Sequence, residues 1–225
     1  VQAHTDATDG RDDLEQMARA AAAAGLSYLA VTDHSKTLGM AGGLDEHGAL
    51  EQARIVRQLS RRLEGIALLA GIECDIKSDG SLDLADDCLA ALDLVIASVH
   101  SGFTQDRQQM TDRVLRAIDH PRVDIVGHPT GRLILKREPY AIDVEAVVDA
   151  AARHGVALEI NCQVDRLDLN DVYARLARDR GVKLAISTDA HARSAFGRLG
   201  WGVLVARRAW LGADDVLNTR SFEAL

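Results

Sequence analysis

A chain of 225 residues with 47% apolar content is long enough for one large α/β domain or two small ones, and apolar enough to bury a core. Its 26 Lys and Arg against 34 Asp and Glu give a formal net charge of -8, which argues against a broad electrostatic footprint for nucleic acid on this chain alone, though not against a local anion site. Cys74, Cys88 and Cys162 form no CxxC pair, and no apolar run reaches the roughly 18 residues that span a bilayer, so a disulfide framework, a cysteine zinc knuckle and a membrane segment are not suggested and a reducing cytoplasm is expected.

The chain starts without methionine in a strand-like segment, "VQAHTDATDG", and is therefore expected to be a piece trimmed on its N-terminal side. Six further apolar runs follow: "LSYLAVTDHS" (26–35), "IALLAGIECDI" (66–76), "LDLVIASVHSG" (92–102), "VDIVGHPTG" (123–131), "VALEINC" (156–162) and "VKLAISTDAH" (182–191). Near-continuous Val, Ile, Leu and Ala of this kind marks strands covered on both faces. Amphipathic stretches at 11–24, 46–64, 106–119, 143–154 and 170–180 read as the helices between them, and Gly25, Gly155 and Gly181 stand where a helix would end. Seven alternating units predict one α/β domain over 1–225, a barrel or a doubly wound sheet.

The ends of the runs favour the barrel, in which all strand C-termini open onto one face. They present His4, His34, Glu73, His100 and His128, then Asp189 and His191, with Asp9 in the loop after the first run; five of the eight histidines lie at these ends. A capping aspartate or a hydrogen-bonded core histidine accounts for any one of them, but not for the set. Imidazoles and carboxylates without thiolate suit divalent Mn, Zn or Fe, a single carboxylate can bridge two such ions, and such centres hydrolyse phosphate esters. Glu73 emerges from "LLAGI", where burial disfavours its charge unless cations neutralise it, so it is the expected bridging ligand.

"HTDATDG", "AVTDHS", "GIECDI", "SVHSG", "GHP" and "STDAH" resemble, in order and spacing, the motifs of the polymerase and histidinol phosphatase (PHP) superfamily. The resemblance implies a distorted (βα)7 TIM-like barrel with a trinuclear metal centre. It also implies three ion sites: His4, Glu73 and Asp189; Glu73, His100 and His128; Asp9, His34 and His191. The family's first motif is His-x-His, whereas this chain has Gln2-Ala3-His4, and an amide oxygen is a weaker ligand than imidazole. "GHPTGRLILKREPY", "LEINCQVDRLDLND" and "RRAWLGADDVLNTRSFEAL" look like the C-terminal PHP domain of family X DNA polymerases. That likeness implies manganese-dependent 3'-5' exonuclease action on DNA 3' ends, with a polymerase portion upstream in the same chain.

Glu73, His4 and Asp189 are the expected catalytic residues, with Arg132, after "GHPTG", as a bidentate phosphate holder. Lys136 and Arg137 complete a basic cluster on the same loop; Asn161 and Arg166 are further candidates to orient water or phosphate, and Arg193 and Arg198 fall in a glycine-bearing segment read as a mobile lip. Asp33 is expected to fix an imidazole tautomer, and Cys74, Cys162, Trp201 and Trp210 to serve packing. Two other readings stand beside DNA hydrolysis: a stand-alone phosphatase for a small monoester such as histidinol phosphate, and a degenerate module that only braces a polymerase.

Overall fold

The computed structural model describes residues 2–224, without the side chains of Met40 and Glu223. Seven strands, β1 (Gln2–Ala3), β2 (Tyr28–Val31), β3 (Ala67–Asp75), β4 (Leu94–Ser98), β5 (Ile125–Val126), β6 (Ala157–Asn161) and β7 (Leu184–Ser187), pair in chain order, every pair parallel. A bridge between Ala3 and Ala190 joins the last strand to the first, with His4 N–H donating to Ala190 O at 2.9 Å. The result is a distorted seven-stranded barrel wrapped by helices, as the rhythm of apolar runs predicts.

The strands are shorter than their apolar runs because each run continues past the ladder into the loop that carries the chemistry. The helices are α1 (Leu14–Ala23), α2 (Glu46–Ser60), α3 (Asp86–Ala90), α4 (Arg107–Ile118), α5 (Val144–His154), α6 (Asp171–Asp179) and α7 (Leu199–Arg208). Four of them start one to three residues later than periodicity alone suggests, since Asp13, Asp106, Asp143 and Asn170 are extended N-caps whose side chains accept the orphan N–H three residues on. Gln16 and Gln109 return a bond to the cap backbone, closing two capping boxes.

The inward side chains stack in layers, as in other parallel barrels. Ile96, Ile125, Ala157 and Ala185 fill the lower interior, and the next positions up the same strands are Ser98, Gly127, Glu159 and Ser187. The alternate, outward positions, such as Leu158, Ile160 and Leu184, join the larger core beneath the helices. Gly127 is required by this crowding: a Cβ there would stand 2.3 Å from Ser98 Oγ, 3.0 Å from Ile96 Cγ2 and 3.6 Å from Glu73 Oε1. Gly127→Ala is therefore expected to lower stability by about 1–3 kcal/mol, the usual cost of overpacking, read as a lower urea midpoint with unchanged slope.

The segment read as a glycine-rich lip is instead a 3-10 turn, Arg193–Arg198, running into α7. Gly202 lets α7 pack on β6, because a Cβ would meet Cys162 Sγ at 2.3 Å. The helix turns Gly202, Val205 and Ala206 inward, which leaves Trp201 51% exposed, and Trp210, in the turn after the helix, is 68% exposed, contrary to the packing role expected of both. Arg175 lies over the Trp210 ring at 4.4 Å. No helix among the described residues is long and apolar enough to cross a membrane, and the three cysteines are buried and unbridged.

Candidate metal centre

The C-terminal ends of six strands and two following loops bring His4, Asp9, His34, Glu73, His100, His128, Asp189 and His191 to one end of the barrel. Glu73, 1% exposed, is the hub. Its Oε2 lies 3.4 Å from His4 Nε2 and 3.3 Å from His34 Nδ1, and its Oε1 lies 3.1 Å from His128 Nε2 and 3.3 Å from His100 Nε2. Asp189 Oδ1 stands 3.1 Å from His4 Nε2 and 3.6 Å from His191 Nδ1. Asp9 reaches in from the first loop, 3.3 Å from His191 Nε2 and 3.5 Å from His34 Nε2.

Three overlapping groups offer ligand atoms all within 4.8 Å of one another: His4, Asp9, His34 and His191; His34, Glu73 and His100; His4, Glu73 and Asp189. Two of these contain the ion sets implied by the resemblance. In the third, His34 stands with Glu73 and His100, while His128 lies outside the group with its Nε2 3.1 Å from Glu73 Oε1. The donor set fits divalent cations, because the Nδ1 atoms of His4, His34 and His128 and Gln2 Oε1 are buried without a hydrogen-bond partner. Gln2 is fully buried, with its Nε2 3.5 Å from His4 Nε2, so the residue in the place of the family's first histidine faces the same centre.

Within the cluster, each group's protonation is set by its neighbours. Burial alone would raise Glu73, but the neighbouring His100 and His34 hold it well below the usual carboxylate range. Burial would likewise lower His100 and His191, yet Glu73 and Asp75 push His100 up to about 10, and Asp9 and Asp189 push His191 up to about 9. His128 goes the other way, to about 4, because burial and the Arg166 charge both disfavour its cation. Burial also raises Asp189 and Asp9, but their histidine partners leave both below the ordinary aspartate value.

Several supporting residues lie outside the expected set. Asp75 hydrogen-bonds His100 Nδ1 and so fixes that ring with Nε2 towards Glu73. It stands two residues after Glu73 on the same strand face, a period-2 signal visible in the sequence. Glu159 and Gln163 also contact the centre's backbone. Asp33, expected beside an imidazole, instead ties down the first loop: it accepts from Thr5 N–H at 2.7 Å, Thr5 Oγ1 at 2.8 Å, Thr8 Oγ1 at 2.9 Å and Gln52 Nε2 at 2.8 Å.

Arg132, expected as a phosphate holder, is engaged with the backbone instead. Its Nε donates to Arg166 O at 2.8 Å and its Nη2 to Leu167 O at 2.5 Å, so it braces the loop after β6. The guanidinium facing the centre is that of Arg166, 3.9 Å from Asp189 Oδ2. Lys136 pairs with Asp165 at 3.0 Å, and Arg137 donates to Gly131 O and lies over Phe103, so the expected basic cluster is largely engaged. A cleft of about 350 Å³ opens beside Asp189 and His191 and is lined by Arg11, Arg166 and Arg198.

The PHP domain family matches residues 1–163. The chain is 40% identical over 220 residues to the DNA polymerase/3'-5' exonuclease PolX of Bacillus subtilis (strain 168), covering 98% of this chain but only 39% of that protein's length. It is 33% identical to a probable phosphatase of Thermoanaerobacter sp. (strain X514), covering 92% of this chain and 83% of the relative, and 33% identical to one of Shewanella sediminis, covering 89% and 80%. Among solved structures, the histidinol phosphate phosphatase of Lactococcus lactis, complexed with zinc, L-histidinol and phosphate, superposes with a TM-score of 0.69 at 16% identity, covering 94% of this chain and 93% of that one, which shows the shared fold. Matched by the family model over residues 1–163, and 33% identical to relatives of which it covers four fifths, the chain belongs to the PHP domain family.

Proposed function

We propose that the chain is a divalent-metal-dependent phosphatase of small phosphomonoesters, with His4, Asp9, His34, Glu73, His100, His128, Asp189 and His191 as its metal ligands. The observation that carries this reading is the arginine-lined cleft of about 350 Å³ beside Asp189 and His191, a volume suited to a small ester with its phosphate drawn towards the centre. Two relatives that the chain covers to 83% and 80% of their length are named probable phosphatases.

Cations held by this set would supply charge neutralisation at the phosphoryl oxygens and activate water at neutral pH. The protein's own part is positional. Glu73 places its two carboxylate oxygens towards four imidazoles, Asp75 sets the His100 tautomer, and Asp33 holds the loop that carries Asp9. Arg166, Arg11 and Arg198 offer guanidinium donors to the ester's remaining oxygens. Arg166→Ala is expected to lower kcat/KM by about tenfold to a hundredfold, the effect of removing one charge-assisted donor from a developing phosphate charge, with metal content unchanged.

A second reading is hydrolysis at DNA 3' ends as the C-terminal part of a longer polymerase, favoured by the 40% identity to PolX over 98% of this chain. The net charge of -8 leaves the DNA grip to residues outside this chain in that case. The deciding experiment gives the manganese-loaded protein p-nitrophenyl phosphate and a 5'-labelled single-stranded oligonucleotide. Monoester turnover without shortening of the oligonucleotide is the expected result. Shortening from the 3' end at a comparable rate replaces it with the DNA reading, and turnover of neither substrate by ion-loaded protein overturns both.

A further inference from the structure

β6 is the one strand of the seven that ends without a member of the candidate ligand set, yet above Ala157 its inward residues are polar. Glu159, Asn161 and, just past the strand, Gln163 alternate along the chain and so share one face. Leu158, Ile160 and Cys162 between them pack into the outer core. Glu159 and Asn161 are fully buried, and Gln163 is half-buried.

Each of the three reaches a neighbouring strand end. Glu159 Oε2 accepts the His128 backbone N–H at 2.6 Å. Asn161 Nδ2 donates to Asp189 Oδ2 at 3.0 Å and to Glu159 Oε2 at 3.3 Å. Gln163 Nε2 donates to Asp189 O at 2.6 Å and to Thr188 O at 3.0 Å. The bonds converge on His128 and Asp189, the two candidate ligands with left-handed backbone, at φ 27° and 48°. Side-chain-bearing residues keep such dihedrals only where the surroundings impose them. The β5 ladder ends at Val126, so the His128 N–H has no strand partner and Glu159 supplies its acceptor.

We propose that Glu159, Asn161 and Gln163 form a polar ladder that holds His128 and Asp189 in the conformations that aim them at the metal centre. β6 then serves the centre by positioning, and the ladder explains why a carboxylate stands inside the barrel on a strand with no ligand of its own. The inference rests on the metal-centre reading above.

The test is calorimetric titration of the metal-free protein with Mn2+, with the thermal midpoint of each metal-free variant recorded alongside. Glu159→Ala is expected to weaken binding by about tenfold to a hundredfold, as removal of partners that orient ligands does elsewhere. Glu159→Gln keeps an acceptor oxygen for the His128 N–H and is expected to bind close to wild type. Gln163→Ala, at a half-buried position, is expected to lose about tenfold in affinity with its thermal midpoint unchanged, so the ladder remains testable even if Glu159→Ala fails to fold. Wild-type affinity in Gln163→Ala, or equal damage in Glu159→Gln and Glu159→Ala, overturns the proposal. A wild type that binds Mn2+ but hydrolyses no phosphate ester removes the proposed function alone.

Discussion

Glu73→Gln is expected to abolish hydrolysis, with kcat/KM falling by about a thousandfold or more, equivalent to about 4 kcal/mol of lost transition-state stabilisation. The substitution preserves shape, so the barrel should still fold, and a cooperative urea transition would show that it does. What it removes is the negative charge at a position 1% exposed, within 3.4 Å of ring nitrogens from His4, His34, His100 and His128. A neutral amide also turns one of the two oxygens into a donor, which opposes a cation directly. Elemental analysis should show ions lost from more than one site, since two of the three ligand groups contain Glu73. Retention of full ion content with full activity would show that the hub is only a structural carboxylate.

Metal uptake is expected to release protons and to strengthen as pH rises. In the metal-free protein His100 titrates at about 10 and His191 at about 9, so near neutral pH both carry a proton that must leave before the ring can ligate. The apparent affinity of each such site should rise by about tenfold per pH unit between about 6 and 9. Titration in buffers of different ionisation heat measures the released protons directly, and a net release near zero at neutral pH would refute the assignment.

The same shifts fix the sign for stability. The folded values of His100 and His191 lie above the ordinary 6.5, so their contribution is full below about 6.5 and lost as pH rises through about 9 and 10. Glu73, Asp9 and Asp189 lie below their ordinary values, so theirs is present above about 4.5 and lost as pH falls. The metal-free protein should therefore be most stable in mildly acidic buffer, and the rise in Tm on adding Mn2+ should grow towards alkaline pH. A metal-free Tm that climbs steadily to pH 9 would contradict this pattern of charges.

Much of the fold was legible because strands buried on both faces leave near-continuous apolar runs, and six of the seven did, β1 being only Gln2–Ala3. α7 was not, since Gly197 and Gly200 read as a flexible lip, whereas that segment runs into a helix whose Gly202 admits Cys162 at close range, a fact of packing between distant segments. The Trp201 expectation failed for a related reason: which face of a helix is covered depends on its neighbours as well as on its own composition.

The strand-end histidines and carboxylates were readable because a parallel barrel sends every strand C-terminus to one face, so chemistry placed at run ends must converge. How it converges was not readable. Only the tertiary structure pairs His34 with Glu73 and His100, turns Arg132 onto backbone carbonyls, puts Arg166 towards Asp189, and uses Asp33 to hold a loop. The sequence by itself determined which residue types gather at the barrel mouth, since that follows from strand direction and period. The distances, protonation states and hydrogen-bond partners of those residues depend on contacts between segments far apart in the chain, such as the 185 positions between His4 and Asp189, and only the closed barrel decides them.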